Sequence, residues 1–324
     1  MSASDVVSAE DVDLTDVLVS NTAESRSHLE AGDLESAYSG LTQRLMAALS
    51  ALMVDFDGAE KDPWILLDIL LGRLNRSGRA DEAWLIFIAL TTVLPRVADV
   101  EAFLREATSS SVAQTRLWLF AFTLPIIRER GTMNLLMRVV QDATVIDVNF
   151  SATDEHNTGI QRVVRRTLPS WLRDHAVELA AWTSYSGALR TLTPREFHRA
   201  VEWDEVREGD KDASNVELLV PWRTRLILAE VPSRSSMCDP LGALARFSGN
   251  SVSLIGYDAI PIVSAESVPA GMSDHFAKFL GVVKWSESVA AISAAAAGEF
   301  RGFAAMLGSQ GLVGPRVVEC SLPA

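Results

Sequence analysis

The residues best placed to do chemistry follow one apolar run. Val145-Ile146-Asp147-Val148-Asn149 passes into a polar loop, Ser151 to Asn157, after which Thr158-Gly159-Ile160-Gln161-Arg162-Val163-Val164 opens a helical pattern. Thr158 is a suitable N-cap, and Gly159 removes a side chain where the unpaired N–H groups of a first helical turn could meet a phosphate or a sugar hydroxyl. The same residues would serve equally in a plain strand-to-helix turn. His156 could donate a hydrogen bond in this loop. Arg162, Arg165 and Arg166 could reach an anionic group, with two of the three expected to point away from any single ligand. Only one glycine is present, so the G-x-G-x-x-G dinucleotide fingerprint is missing and no cofactor is expected.

Two later loops have the same form. Ser253-Leu254-Ile255-Gly256-Tyr257-Asp258-Ala259-Ile260-Pro261 puts a carboxylate directly after an apolar strand and before a proline that fixes the backbone. Asp258 could orient a sugar hydroxyl or act as an electrostatic partner, or it could simply cap a turn. Val289-Ala290-Ala291-Ile292-Ser293 leads into Ala294 to Ala297, so Ser293 is an N-cap that could also touch a ligand. No G-x-S-x-G, H-E-x-x-H or Walker A pattern occurs. Asp11-Val12-Asp13 and Asp55-Phe56-Asp57 have the spacing of a metal-holding D-x-D, but they fall in a helical, acid-rich stretch and read as solvated faces or turns. Cys238, Cys320 and five scattered histidines give neither a disulfide framework nor a metal-ligand spacing.

The elements that must carry these loops change character along the chain. Up to about residue 140 every periodic stretch reads helical, beginning with Leu41, Leu45, Leu49 and Leu52 and continuing through Ile65–Leu74, Ala83–Leu94, Val100–Glu106 and Gln114–Ile127. Gly32-x4-Ala37-Tyr38 and Gly78-x4-Ala83-Trp84 share a turn pattern that looks like the hairpin of tetratricopeptide repeats, although no third copy follows. From Thr144 onward, β-branched runs alternate with helical ones. Strands are expected at Thr144–Asn149, Val177–Trp182, Val216–Val220, Arg225–Glu230, Val252–Tyr257, Ser288–Ile292 and Arg316–Glu319, with helices at Gly159–Arg173, Pro240–Phe247, Met272–Trp285 and Ala294–Leu307. This order predicts an α/β, Rossmann-like parallel sheet over 141–324, preceded by an all-α bundle over 1–140.

Composition narrows the function. The 324 residues carry 29 Lys and Arg against 42 Asp and Glu, with 48% hydrophobic content, which suits a folded protein of about two domains and excludes disorder throughout. Residues 1–60 hold twelve acids and two bases, so nearly all of the net charge of -13 belongs to that segment. A general nucleic-acid-binding surface is therefore not expected. Met1 to Asp16 lacks a basic n-region, so no signal peptide is read. The greasiest stretches, Ala83–Leu94 and Leu117–Ile127, fall short of the roughly 20 residues a membrane helix needs. A cytoplasmic protein, at most peripheral to a membrane, is expected.

Taken in order, these pieces resemble a known family, the GT-B glycosyltransferases of the family 4 type, in their amino-terminal domain. The match runs from about 144 to 324. It comprises the Asp147-Val148 strand with Thr158-Gly159-Ile160-Gln161-Arg162-Val163-Val164-Arg165, then Leu219-Val220-Pro221-Trp222, Glu230-Val231-Pro232, Gly256-Tyr257-Asp258-Ala259-Ile260-Pro261 and Val289-Ala290-Ala291-Ile292-Ser293. The resemblance implies transfer of a sugar from a nucleotide-sugar donor to a saccharide, lipid or protein acceptor, as in polysaccharide biosynthesis, with retention at the anomeric carbon and no essential metal. It implies that Gly159 approaches the donor phosphates or sugar and that the residues after the Tyr257-Asp258 strand face the cleft, and Asp258 is taken as the candidate catalytic residue. Thr158, Gly159, Ile160, Arg162, Tyr257 and Ser293 become candidate donor- or acceptor-binding residues. Family members bind most of the nucleotide through a second Rossmann-like domain, and no segment here has its pattern, because Val317 to Ala324 reads as a last strand running into a hinge. An acceptor-side half with negligible turnover alone is the expectation. The alternative is a noncatalytic sugar-binding or scaffold protein whose helical half docks a protein partner.

Overall fold

The computed structural model describes residues 31–55, 58–203 and 216–321. Asp11-Val12-Asp13 lies outside them, as do Phe56 and Asp57. The chain divides into two compact units, one reaching Val93 and resuming over Glu101–Met137, the other formed by Leu94–Val100 and everything from Arg138 onward.

The first unit is built on helices α1 (Ala31–Ala51), α2 (Pro63–Ser77), α3 (Ala80–Thr91), most of α4 (Val97–Ser109) and α5 (Val112–Arg130). Local signals set their ends. Asp62 accepts from the Trp64 N–H and Pro63 occupies the first helical position of α2, while Gly78, at φ 60°, closes it. The other half of the turn pattern fails, because Gly32 sits inside the first turn of α1 and ends no helix among the described residues. The run Ala83 to Leu90 is buried on every side, which makes α3 the central helix of this unit. No described helix is long and apolar enough to cross a membrane. Arg44 lies fully within the unit and donates to the carbonyls of Ala89, Met133 and Leu135 at 2.9, 2.6 and 2.7 Å. Burial lowers its pKa to about 9.

In the second unit nine strands form one sheet: β1 (Met137–Val140), β2 (Thr144–Asp147), β3 (Val177–Trp182), β4 (Leu189–Thr191), β5 (Leu218–Pro221), β6 (Arg225–Leu228), β7 (Ser251–Gly256), β8 (Ser288–Ala291) and β9 (Arg316–Glu319). Their order is β1-β5-β4-β3-β2-β6-β7-β8-β9. The six strands from β3 to β9 in that order run parallel, whereas β4 pairs antiparallel with both β3 and β5. The helices are α6 (Asn149–Thr153), α7 (Gly159–Asp174), α8 (Pro194–Val201), α9 (Ser235–Phe247), α10 (Ile260–Val263), α11 (Met272–Val283) and α12 (Ala294–Ser309). This is an α/β architecture compatible with a Rossmann-like fold.

Three expectations need correction. The helical reading up to residue 140 fails at Met137–Val140, which is a strand of the sheet. Strand β4 and helices α6, α8 and α10 fall where loops were expected. Helix α9 begins at Ser235, five residues before Pro240, because a proline tolerated within the early turns is not the first residue.

Packing beneath the site is dense. Ile146, Val148, Val164, Leu168 and Leu179 form one apolar cluster that holds α7 against the sheet, using the spacing Gln161, Val164, Arg165, Leu168 for the buried face. At the end of β7, a Cβ on Gly256 would stand 2.6 Å from Val289 Cγ1 and 2.7 Å from Phe300 Cε2. Only glycine lets α12 sit that close to the strand, and the next residues are Tyr257 and Asp258.

Candidate functional site

Strands β2, β6 and β7 are neighbours in parallel register, with Asp147 level with Leu228 and Leu228 level with Leu254. The loops after them therefore emerge at one carboxyl edge, the rim at which open parallel sheets take ligands. Thr158 and Gly159 follow β2, Glu230 follows β6, and Tyr257 with Asp258 follows β7. Ser293 follows β8 at the same edge, since β7 and β8 are parallel.

At the first loop, Thr158 occupies the N-cap of α7 and its N–H is taken by Gln161 Oε1 at 2.8 Å. Gly159 is exposed, has no positive φ, and has nothing within 4 Å of the place a Cβ would take. What sets the position apart is therefore its openness, not backbone freedom. The N–H groups of Gly159 and Ile160 have no hydrogen-bond acceptor among the described residues, as expected for a first helical turn left open. Ile160 is half-buried and Arg162 exposed.

The other candidates divide. Asp258 is exposed, and its Oδ1 accepts from the Ile260 N–H at 3.1 Å, so it caps its turn and still offers a carboxylate to solvent. Ser293 is the N-cap of α12, accepting from the Ala296 N–H at 3.2 Å. Tyr257 points inward: it is buried and its hydroxyl donates to the Ala229 carbonyl at 2.8 Å. Burial, reinforced by the charge of Glu230, raises its pKa well above the ordinary tyrosine value. Tyr257 thus anchors the β7 loop to the β6 loop, and the side chain beside it, Asp258, faces out. His156 is exposed and paired with Asp154 through both its backbone N–H and its ring.

Two buried carboxylates carry the loops. Asp147 accepts from the Asn149 N–H at 3.1 Å and from Trp182 Nε1 at 2.9 Å. Glu230 accepts from the N–H groups of Phe150 and Ser151 at 2.6 and 2.8 Å and from the Ser151 hydroxyl. It serves as the acceptor for the open first turn of α6, a job for which sequence offered one signal, the placement of an acid directly after an apolar strand. Burial pushes the Asp147 pKa up to about 6 against the Trp182 hydrogen bond. Burial likewise pushes Glu230 up to about 7, with the Asp147 charge adding and the Ser151 bonds opposing. Both carboxylates are occupied by donors, and among the described residues no group of three His, Cys, Asp or Glu is placed to hold a metal.

A second pair went unread. Ser235 Oγ lies 2.9 Å from His275 Nδ1, and His275 Nε2 lies 2.7 Å from the Pro232 carbonyl. A carbonyl only accepts, so Nε2 carries the proton in the neutral ring and Nδ1 receives the Ser235 hydroxyl. The pair clips the β6 loop to α11.

The arginines also depart from expectation. Arg162, Arg165 and Arg166 all line one cavity of about 610 Å³, together with Asn157, Val201, Glu202 and Trp203. Spacings of three and four residues put them on one helical face. Arg165 is buried and donates to the carbonyls of Ser151, Asp154 and His156 and to Asn157 Oδ1, which fixes the loop that precedes α7. A roomier cavity of about 770 Å³ opens at the opposite, amino ends of the strands, lined by Thr144, Val177, Arg225 and Ser251 among others. The carboxyl edge is the better candidate because the unpaired helix donors are there.

No family model matches the chain, no curated protein matches it, and no solved structure matches it.

Proposed function

We propose that the second unit is a glycosyltransferase domain of the GT-B, family 4 type, which holds an acceptor and the reacting end of a nucleotide-sugar at the carboxyl edge of its sheet. The observation that carries this reading is the open first turn of α7. The N–H groups of Gly159 and Ile160 lie unpaired beside a glycine with free space above it. As the glycosidic bond to the leaving diphosphate breaks, negative charge grows on phosphate and positive charge on the sugar. A helix N-terminus and the nearby Arg162 suit the first, and the exposed carboxylate of Asp258 suits the second or a sugar hydroxyl. Thr158 sets the start of α7, Tyr257 fixes the Asp258 loop, and Ser293 contributes a rim hydroxyl. The acceptor is a saccharide or a glycoconjugate, and the same reading puts the reaction in the cytoplasm.

The test is a donor panel on the full-length protein, following release of each nucleoside diphosphate with and without saccharide acceptors. Acceptor-dependent release from one donor is expected. Saccharide binding with no turnover of any donor would replace this reading with that of a noncatalytic binding module.

A further inference from the structure

The cleft beside α7 has a charge arrangement unlike that of several arginines elsewhere among the described residues. Arg73, Arg79, Arg96, Arg138 and Arg190 each face a carboxylate at 3.1 Å or closer. The guanidinium groups of Arg162 and Arg166 make no ion pair or hydrogen bond among the described residues, although both line the same cavity. Like charges four residues apart on a helix repel, and a bound anion would relieve that repulsion.

Between them stands a built wall. Arg165 is 6% exposed, and its guanidinium lies over the Trp203 ring with 3.7 Å from the central carbon to the ring centroid. Its two terminal nitrogens are satisfied by the preceding loop, but its Nε is buried with no hydrogen-bond partner. Burial lowers the Arg165 pKa, and the group still carries its charge at neutral pH.

The remaining lining residues are of a different type. Trp203 offers an aromatic surface, Asn157 an amide and Glu202 a carboxylate, the groups that meet the apolar face and the hydroxyls of a sugar ring. The volume of about 610 Å³ falls within the range of roughly 300–1,000 Å³ usual for small-ligand sites. Two guanidiniums with no partner among the described residues suit the fork geometry of a phosphate. We propose that this cleft binds a phosphorylated saccharide, with the phosphate between Arg162 and Arg166 and the sugar ring against Trp203. The inference adds to the transferase reading without depending on it, since a binding protein with no turnover would satisfy it equally.

Calorimetric titration of the full chain tests this with three probes: hexose 1-phosphates (glucose, galactose and mannose), the matching free hexoses, and inorganic phosphate. At least one hexose phosphate is expected to bind about tenfold or more tightly than both its free sugar and inorganic phosphate, a gap of about 1.4 kcal/mol or more. The double variant Arg162→Gln/Arg166→Gln should lose that binding by about tenfold or more while melting like the parent, because both side chains are exposed. Trp203→Leu should weaken the sugar phosphate and leave inorganic phosphate unchanged. A second arm uses phosphatidylcholine vesicles with and without phosphatidic acid. Binding to the acidic vesicles without binding to any hexose phosphate would overturn the proposal in favour of a lipid headgroup. Failure of every hexose phosphate to bind, or equal binding by parent and double variant, would overturn it outright. Arg162 also serves the donor in the transferase reading, so donor turnover is measured separately on the parent, which keeps failure of that reading apart from failure of this cleft.

Discussion

Glu230 Oε1 accepts the backbone N–H of Ser151 at 2.8 Å, tying the end of β6 to the first turn of α6. The same carboxylate takes the Phe150 N–H and the Ser151 hydroxyl, so one buried side chain sets the path of the loop that leads to Gly159. With its pKa raised to about 7, and that of Asp147 to about 6, the folded chain holds protons that the unfolded chain has released. Stability contributed by these groups is therefore greatest below about pH 4 and is lost as pH rises toward 7, by something on the order of 3 kcal/mol for Glu230. Chemical denaturation of the parent and Glu230→Gln across pH 4.5 to 7.5 checks this. The parent should lose stability relative to the variant as pH rises, and parallel curves would show that Glu230 does not titrate in that window.

On the transferase reading, Gly159→Val in the full-length protein should abolish transfer and leave melting unchanged. The position has no positive φ and open space around it, so a branched side chain meets no strain and displaces only a ligand. Melting temperature and transfer rate are measured side by side. A stable variant that transfers at the parental rate would remove Gly159 from the site.

Gly256→Ala should destabilise the second unit by about 1–3 kcal/mol, because its new methyl would press on Val289 and Phe300. The change should be visible as a lowered melting temperature. An unchanged melt would mean that α12 can retreat from β7 freely.

Arg44→Leu should destabilise the first unit by about 3–5 kcal/mol. It removes the donors for three carbonyls inside the unit, and apolar replacement gives those oxygens nothing in return. Denaturation followed through hydrogen exchange of the α3 amides would read this effect within the helical unit.

How much of this could be read from sequence depended on pattern length. The parallel strands Val177–Trp182 and Arg316–Glu319 appear at their expected bounds, and the other five expected strands shift by one or two residues at their ends. Strand β4 spans only Leu189–Thr191 and β1 only Met137–Val140, too short for either periodicity to register against the helical runs before β1. The placement of Thr158 and Gly159 at a helix start, and of Asp258 directly after an apolar strand, was legible in the sequence, while their roles are proposals. Glu230 follows one too, but its role depends on an acceptor site created by α6, a helix of five residues that leaves no periodic trace. The spacing of Arg162, Arg165 and Arg166 puts all three on one helical face, but the cavity they line depends on Trp203 and Glu202, which no spacing on α7 reveals.

Asp258→Asn isolates charge from shape at the proposed catalytic position. Asparagine keeps an oxygen where Asp258 Oδ1 accepts the Ile260 N–H, so the turn that begins α10 should survive. The loop is also held from outside that turn, by Tyr257 on the Ala229 carbonyl and by Glu299, which accepts the Ala259 N–H at 2.7 Å. An exposed carboxylate with these supports can lose its charge at little cost in stability, within about 0.5 kcal/mol. If the carboxylate stabilises positive charge on the sugar, turnover should fall by about a hundredfold or more while donor binding changes little, because the interaction grows only as the transition state forms. If it merely orients a hydroxyl, the amide can substitute, and KM should rise with turnover nearly intact. A variant that matches the parent in both constants would leave Asp258 as a turn cap alone and move the search for the catalytic carboxylate elsewhere along the edge.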